Sequence, residues 1–403
     1  MAEPISRRRV IAAGAMLGLL PGARQTAAAS QDDDLPASGA AYAPWRDWRI
    51  DRADGPAGLV RSAILAANAH DTQPWRFCVS PGRIDILADQ ARNLGAMDPF
   101  RREMQLSLGC ALENLLLAAG ACGYGAQVAV APGRLQGAAA GLRPVARVTL
   151  AAAAAVSSPL AVAIRRRHTN RGRYDPARSL GQDVLEQLRR AGAADDRVRL
   201  ILLTDPATRA DFAAATLAAT QAIIADRTMI ADSDTWFRGT NAEIDAHRDG
   251  PTLYAAGLSP LTLLLARAFP VSPARAHRAW LDHTRDVQLA TAAAFGLIAV
   301  RDLYDAETAF SAGRIWQRLH LTAVTLGVAM QPLNQLPERV DREQQLGLPA
   351  TAAGAMAALT GDAAWHPTFA FRAGWPLRAA PASPRRDLRA VLLPEGCARD
   401  LPA

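Results

Sequence analysis

Four short polar segments stand where a plain fold has no need of them. Asn68, His70 and Gln73 crowd a turn that ends at Pro74, directly before an apolar alternating run. Short amide and imidazole side chains on such a turn can hydrogen-bond a planar heterocycle, a phosphate, or one another. Arg167-His168-Thr169-Asn170-Arg171 packs two guanidinium groups and a hydroxyl into five residues. Arginine makes bidentate, charge-assisted bonds to phosphate oxygens. The same residues also suit a solvated helix end, where positive charge complements the dipole. Val328 to Leu333, with Gln331 inside it, reads as a helix-exit loop in which Pro332 leaves neighbouring N–H groups free for another partner. Pro384-Arg385-Arg386-Asp387 adds a second arginine pair after a Pro-rich loop, a pattern commoner on a surface than in a site.

Several other chemistries are excluded or unsupported. All 45 basic residues are Arg, so a phosphate-loop Lys, a pyridoxal Schiff base and any catalytic Lys are impossible. Gly123-Tyr124-Gly125 follows a helical run and precedes a strand, the reverse of the order a dinucleotide-binding turn requires. There is no GxSxG elbow and no HExxH. His277 and His283 lie six apart, off a common helix face, and no metal site is expected. Cys78, Cys110, Cys122 and Cys397 form no CxxC pair. The first three sit in or beside apolar runs that predict buried thiols; nothing in the spacing requires a disulfide.

The elements that must position the polar segments follow from periodicity. An apolar helical pattern runs from Gly58 to Ala66 into the Asn68 turn. Trp75–Ser80 and Ile84–Asp89 flank Pro81-Gly82-Arg83 and predict a hairpin. Asp98-Pro99 offers a cap and a first helical position. The helix beyond it buries Leu108, Ala111, Leu112, Leu115 and Leu116 and stops at Gly120 or Gly123. Strands are expected at Gln127–Val130 and Val145–Leu150. After a low-complexity joint, Ser158-Pro159 starts a helix that ends in the Arg167 segment. Further helices are expected near 182–191, 206–226 and 309–326, with strands at Ala294–Val300 and Phe369–Arg372. The fold class is α+β, with halves at 58–156 and 157–393, a lid-like insertion at 232–280, a linker at 30–57 and a tail at 394–403.

Residues 1–29 hold Arg7-Arg8-Arg9, an apolar run from Val10 to Leu20 and Ala27-Ala28-Ala29. A basic start, a short apolar stretch and a small-residue cleavage site predict an export signal. The paired arginines before a Gly/Ala-rich run resemble the twin-arginine type, which predicts a periplasmic or other extracytoplasmic protein. Removing that segment lowers the net charge from +7 to +4, which gives no case for a nucleic-acid partner. No other apolar stretch reads as a membrane span.

Taken together the segments resemble one family, the FMN-binding nitroreductase superfamily, and within it the single-chain, duplicated Acg-like branch. The likeness covers roughly residues 58–393. It rests on Ala67-Asn68-Ala69-His70-Asp71-Thr72-Gln73-Pro74-Trp75, on Arg167 to Arg171, on Leu326-Gly327 through Pro332-Leu333, and on Arg372-Ala373-Gly374-Trp375-Pro376 with Arg385-Arg386-Asp387-Leu388. Their order and spacing are more specific than any one of them.

The resemblance implies a nitroreductase-like pseudo-dimer in one polypeptide, monomeric, with two pseudo-symmetric halves completing one FMN site. It implies that Arg167 and Thr169, with Arg385 or Arg386 and Asn68, hold the phosphate. Arg171 would lie at the N1–O2 edge of the ring, favouring the anionic reduced flavin. Backbone N–H groups near Leu333, beside Gln331, would reach N5 or O4, while His70 and Gln73 contact the ring or ribityl chain. Asp71 stands where the family has Asn, and Asn68 where Ser is commoner. The implied activity passes hydride from NAD(P)H or another donor through flavin N5 to a nitroaromatic, quinone or similar acceptor. No side-chain acid or base stands out as catalytic, which suits chemistry carried by a cofactor. A non-enzymatic protein that sequesters FMN would use the same residues.

Overall fold

Two 20-residue helices of similar apolar character cross at the centre of the molecule, and each half of the chain wraps one of them. The computed structural model describes residues 39–136, 140–269, 271–394 and 397. The proposed export signal lies outside them. In the first half, α1 (Ala43–Arg46) and α2 (Gly55–Ala63) precede β1 (Trp75–Ser80), β2 (Arg83–Asp89), α3 (Arg102–Ala121), β3 (Tyr124–Val130) and β4 (Leu142–Ala152). The second half opens with α4 (Pro159–Ala163), α5 (Gln182–Gly192), β5 (Val198–Leu203) and α6 (Pro206–Ala225). An excursion follows, with α7 (Arg227–Asp234), α8 (Asn241–His247), α9 (Pro260–Ala268) and α10 (Pro273–His283). The chain then runs through β6 (Ala294–Val300), α11 (Ala306–Thr325), β7 (Ala329–Pro332), α12 (Gln335–Leu346), α13 (Thr351–Thr360), β8 (His366–Gly374) and α14 (Leu388–Val391).

This is an α+β fold with one topology used twice. The first sheet has the order β1-β2-β4-β3 and the second β5-β6-β8-β7, all neighbours antiparallel. In each sheet the long helix connects the second strand to the third in sequence, α3 in one and α11 in the other. The second strand of each carries a register shift, at Ile86/Leu87 and at Ile298/Ala299. The halves differ between their first two strands. Pro81-Gly82 joins β1 to β2, with Gly82 at φ 66°, whereas α6 to α10 separate β5 from β6. The expected excursion at 232–280 falls within that longer stretch.

The helices α3 and α11 meet through backbone. A Cβ added to Gly109 would lie 2.1 Å from the Phe310 carbonyl oxygen, and one added to Gly313 would lie 2.0 Å from that of Leu106. The Cys110 thiol donates to the Gly313 carbonyl at 3.1 Å, and Gln317 Nε2 donates to Asn114 Oδ1 at 2.8 Å. Glu113 pairs across the crossing with Arg314 and Arg318. By length and composition α3 could cross a membrane, but it is buried as a core helix.

Four expectations need correction. Helix α3 begins at Arg102 rather than Pro99; Asp98 still caps it, through bonds from the Glu103 and Met104 N–H groups. Residues 39–57 are not a bare linker, because Tyr42 and Trp45 are buried and Trp45 Nε1 donates to the Ser383 carbonyl at 2.8 Å. Val328–Leu333 is not a loop with free N–H groups: Ala329–Pro332 is a strand, and the Leu333 N–H donates to Ala370 at 2.8 Å. Cys78 is not a thiol but is disulfide-bonded to Cys397, while Cys110 and Cys122 stay buried and free. That bond fastens the returning tail to β1, where Leu392 bridges Phe77 in parallel and the Leu393 N–H donates to Phe77.

Candidate functional site

The Asn68 turn is a wound knot rather than an open loop. His70, Asp71 and Gln73 all adopt left-handed backbone, with φ of 45°, 50° and 50°. Non-glycine residues rarely hold such angles, which cost on the order of 1–3 kcal/mol each, and they concentrate where function or binding over-determines the backbone. The Asn68 amide holds the knot from inside. Its oxygen accepts from the Gln73 N–H at 2.7 Å, and its nitrogen donates to Asp71 Oδ1 at 3.2 Å and to the Ala66 carbonyl at 3.3 Å.

Gln73 clamps two distant segments. Its amide nitrogen donates to the Arg248 carbonyl at 2.8 Å, and its oxygen accepts from the Arg386 N–H at 2.8 Å. Arg386 returns the contact through bonds to the Gln73 and Trp75 carbonyls.

Arg167 and Arg385 are buried side by side. Arg167 donates to the Leu65 carbonyl at 2.9 Å; Arg385 donates to the Ala66 carbonyl at 3.0 Å and ion-pairs with Asp71. Burial, reinforced by repulsion from Arg385, pulls Arg167 down to about 9, still charged at neutral pH. Among the described residues, the Nε atoms of Arg167, Arg385 and Arg386 and the second Asp71 oxygen have no hydrogen-bond partner. His168 adds no charge, since burial first and Arg167 second pull it down to about 3. A buried patch with two guanidinium groups and one carboxylate is short of negative charge.

Arg372, on β8, organises the neighbouring segment. Its Nε donates to Gln331 Oε1 at 2.7 Å and its Nη2 to the Gly172 carbonyl at 2.7 Å, while the guanidinium stacks on Tyr174 at 3.9 Å. One fully buried fork therefore ties β7 to the Arg167–Arg171 segment.

A cavity of about 270 Å³ opens where the halves and the excursion converge. Asn68 and His70 line it from the first half, and Thr169, Arg171 and Gln331 from the second. Of the other residues expected in a site, Gln73, Arg167, Leu333, Arg385 and Arg386 are not part of its lining. Arg171 Nη1 donates to Ala255 at 3.4 Å, and its carbonyl contacts His283 Nε2 at 3.1 Å. Burial and then Arg171 pull His70 down to about 4, so at neutral pH it is an uncharged partner of Ser233, 3.0 Å away. Trp316, Phe369, Phe237 and Trp280 give the cavity aromatic walls.

Sequence reasoning missed three lining carboxyls, Asp234 and the neighbouring pair Glu103 and Glu338. Burial raises both, Glu103 to about 8 and Glu338 well above its ordinary value. The Asn334 amide donates to Glu103 at 2.8 Å. Glu103, directly after Arg102 in the first turn of α3, resembled an ordinary helix-start acid, and nothing in its spacing announced a cavity.

No family model matches the chain. It is similar to two proteins of Mycobacterium tuberculosis, from strains CDC 1551 and H37Rv, each named as a candidate NAD(P)H nitroreductase. Each is 27% identical over 342 residues, which span 83% of this chain and 90% of the relative. Among solved structures, a nitroreductase with bound FMN from Desulfitobacterium hafniense DCB-2 is 12% identical. It matches 57% of this chain and 95% of its own, with a TM-score of 0.34. The FMN-dependent nitroreductase NfnB of Mycobacterium smegmatis, in complex with NADPH, is 19% identical. It matches 57% of this chain and 97% of its own, with a TM-score of 0.36.

Proposed function

We propose that the chain is an FMN-dependent oxidoreductase of the nitroreductase type, drawing reducing equivalents from NAD(P)H or a comparable donor. One observation carries the proposal: the Asn68-His70 segment and the Thr169-Arg171 segment, 100 residues apart in sequence, line a single cavity with Gln331. The relatives' names and their coverage of the chain support the same reading.

The donor set fits FMN. Aromatic walls and an apolar lining suit a planar ring, and the orphaned Nε atoms of Arg167 and Arg385 suit a phosphate. Bound FMN would supply hydride transfer to a nitroaromatic, quinone or similar acceptor. Arg171, on the cavity lining, would hold positive charge beside a bound ring, an electrostatic role that needs no proton transfer. Neutral His70 and the amides of Asn68 and Gln331 orient without adding charge. The excursion supplies Phe237, Thr252 and Trp280, which exclude water from one side of the cavity.

The sequestering alternative has no independent support, since both relatives are named as reductases. We further propose export through the twin-arginine route, on the strength of Arg7-Arg8 and the apolar run behind them; replacing both with Gln should hold the precursor in the cytoplasm.

The deciding experiment is anaerobic reduction of purified, FMN-loaded protein by NADPH, NADH and dithionite, followed by a nitroaromatic or quinone. Turnover with a nucleotide supports the reductase. A protein that stays colourless after incubation with excess FMN sinks the proposal.

A further inference from the structure

The Asp71–Arg385 pair sits where the sequence leads one to expect a phosphate. Asp71 is buried, is held in left-handed backbone, and receives bonds from Asn68 and Arg385 on one oxygen. Its other oxygen has no hydrogen-bond partner among the described residues. Arg167 and Arg385 each keep an Nε with no partner, and Arg167 is less than one-tenth exposed. The cavity runs along Asn68, His70, Thr169 and Arg171 and reaches neither guanidinium. Asp71 is outside the lining too, but it bonds Asn68, which lines the cavity, and Arg385, so a phosphate extended from the cavity to Arg385 contends with the Asp71 carboxylate.

We infer that Asp71 is an internal counter-ion filling the anion site of Arg167 and Arg385, and that a phosphate-bearing ligand gains this site only as that carboxylate is neutralised or displaced. The inference rests on the flavin reading above and adds a regulation to it. The chain discriminates between flavins with and without a phosphate according to the charge on Asp71. With Asp71 ionised, a phosphate competes with a carboxylate already bonded to Arg385. With Asp71 neutral, two buried guanidinium groups are left without a counter-charge, and an anion is drawn in.

The groups that face Asp71 set where this change falls. Burial is the largest influence and pushes Asp71 up to about 6; Arg385, the Asn68 amide and Arg167 oppose it, and Asp249 adds to it. Arg171 and Tyr42 also feel its charge. Burial pulls Arg171 down, and burial pushes the Tyr42 hydroxyl far up, with Tyr254, Asp71 and Asp245 adding to it. His70 beside it is neutral above about 4. Asp71 is thus the group in this cluster that changes charge between mildly acidic and mildly alkaline pH.

The test compares FMN with riboflavin, which differ only in the phosphate. Flavin-free full-length protein is titrated with each at pH 5.5 and pH 8, read by quenching of flavin fluorescence, for wild type and Asp71→Asn. In the wild type, preference for FMN over riboflavin should rise on the order of tenfold or more from pH 8 to pH 5.5. The phosphate itself gains a proton near pH 6, which works against this rise; Asp71→Asn measures that opposing effect alone. The variant should show at pH 8 a preference at least as large as the wild type shows at pH 5.5, and no rise on acidification. If wild type and variant share one preference at both pH values, Asp71 is not a competitor and the inference is overturned. A variant that binds FMN less selectively than wild type overturns it too, since Asp71 would then support the phosphate. Binding of neither flavin by either protein instead defeats the flavin reading itself. Should Asp71→Asn fail to fold, the wild-type pH comparison still decides, and a preference that is flat or falls on acidification rejects the proposal.

Discussion

Gly109 and Gly313 each occupy the eighth position of a 20-residue helix, and each faces the other helix's backbone. The reciprocity extends the shared strand order to the level of single residues, because equivalent positions in the two halves make equivalent contacts. It also explains how α3 and α11 approach so closely: at the two points where their backbones touch, each helix presents a glycine.

The crossing gives the first prediction. Gly109→Ala and Gly313→Ala should each destabilise the protein by about 3 kcal/mol or more, since backbone oxygen rather than a flexible side chain meets the new methyl. Gly120→Ala is the control; it lies in the same helix with nothing near a new Cβ, and should be neutral or stabilising by up to about 1 kcal/mol. Denaturant unfolding of the three variants checks the contrast. Equal effects at all three would reject the packing argument.

Arg372 supplies the second. Its fork reaches Gln331, Asn170, Gly172 and Gln288 from a fully buried position. Lysine keeps the charge but has neither the planar fork nor the stack on Tyr174. Arg372→Lys should cost about 3 kcal/mol or more and weaken FMN relative to wild type, because Gln331 and the Asn170 and Gly172 carbonyls on either side of Arg171 lose their common anchor. Unchanged flavin affinity in a folded variant would limit Arg372 to stability alone.

Much of this was legible in the letters, and the misses have physical causes. Local periodicity marks α2, the β1–β2 hairpin, α3, α6 and α11, because each buries a stripe of its own. Helix α12 shows no such stripe. It buries Glu338, Arg339, Asp341, Arg342 and Glu343, some of them against charged partners from other elements, such as Arg102 for Asp341 and Asp226 for Arg342. Strand β5 is a short run, Val198–Leu203, interrupted by Arg199, and only its pairing with β6 defines it. In the site, residue types were legible but partners were not. Asp71 and Arg385 are 314 residues apart, and no spacing rule relates them. The substitution of Asp for Asn at position 71 was visible; that its carboxylate would reach an arginine of the tail was not.

Cysteine chemistry supplies the third prediction. Protein from an oxidising compartment, denatured without reductant, should present two reactive thiols, Cys110 and Cys122, and four after reduction. Cys397→Ser should lower the stability of the tail's attachment to β1, by about 2–4 kcal/mol if the entropy of closing the long loop is recovered in full. Thiol titration and limited proteolysis of the tail are the measurements. Four thiols before reduction would refute the pairing.

The fourth prediction concerns Glu103. Burial raises its carboxyl to about 8, with Arg102 the main opposing influence and Asp98 and Asp341 reinforcing the rise. In the unfolded chain it titrates near 4.5. Between those values the folded protein holds a proton that the unfolded chain releases, so stability falls as pH rises across that window. The contribution is complete below about 4.5 and is lost as pH passes through about 8. Glu103→Gln keeps an amide oxygen to accept the Asn334 bond and removes the proton. The variant should therefore flatten the decline in urea midpoint between pH 5 and pH 8, and should exceed the wild type most clearly at the alkaline end. Glu338 carries the same sign from the same cluster, so part of the slope should survive in the single variant and shrink further when Glu338→Gln is added, with Asp98 and Asp71 keeping a residual decline up to about pH 6. A wild-type midpoint that rises from pH 5 to pH 8, or a slope untouched by both substitutions, would show that these carboxyls are ionised in the folded protein.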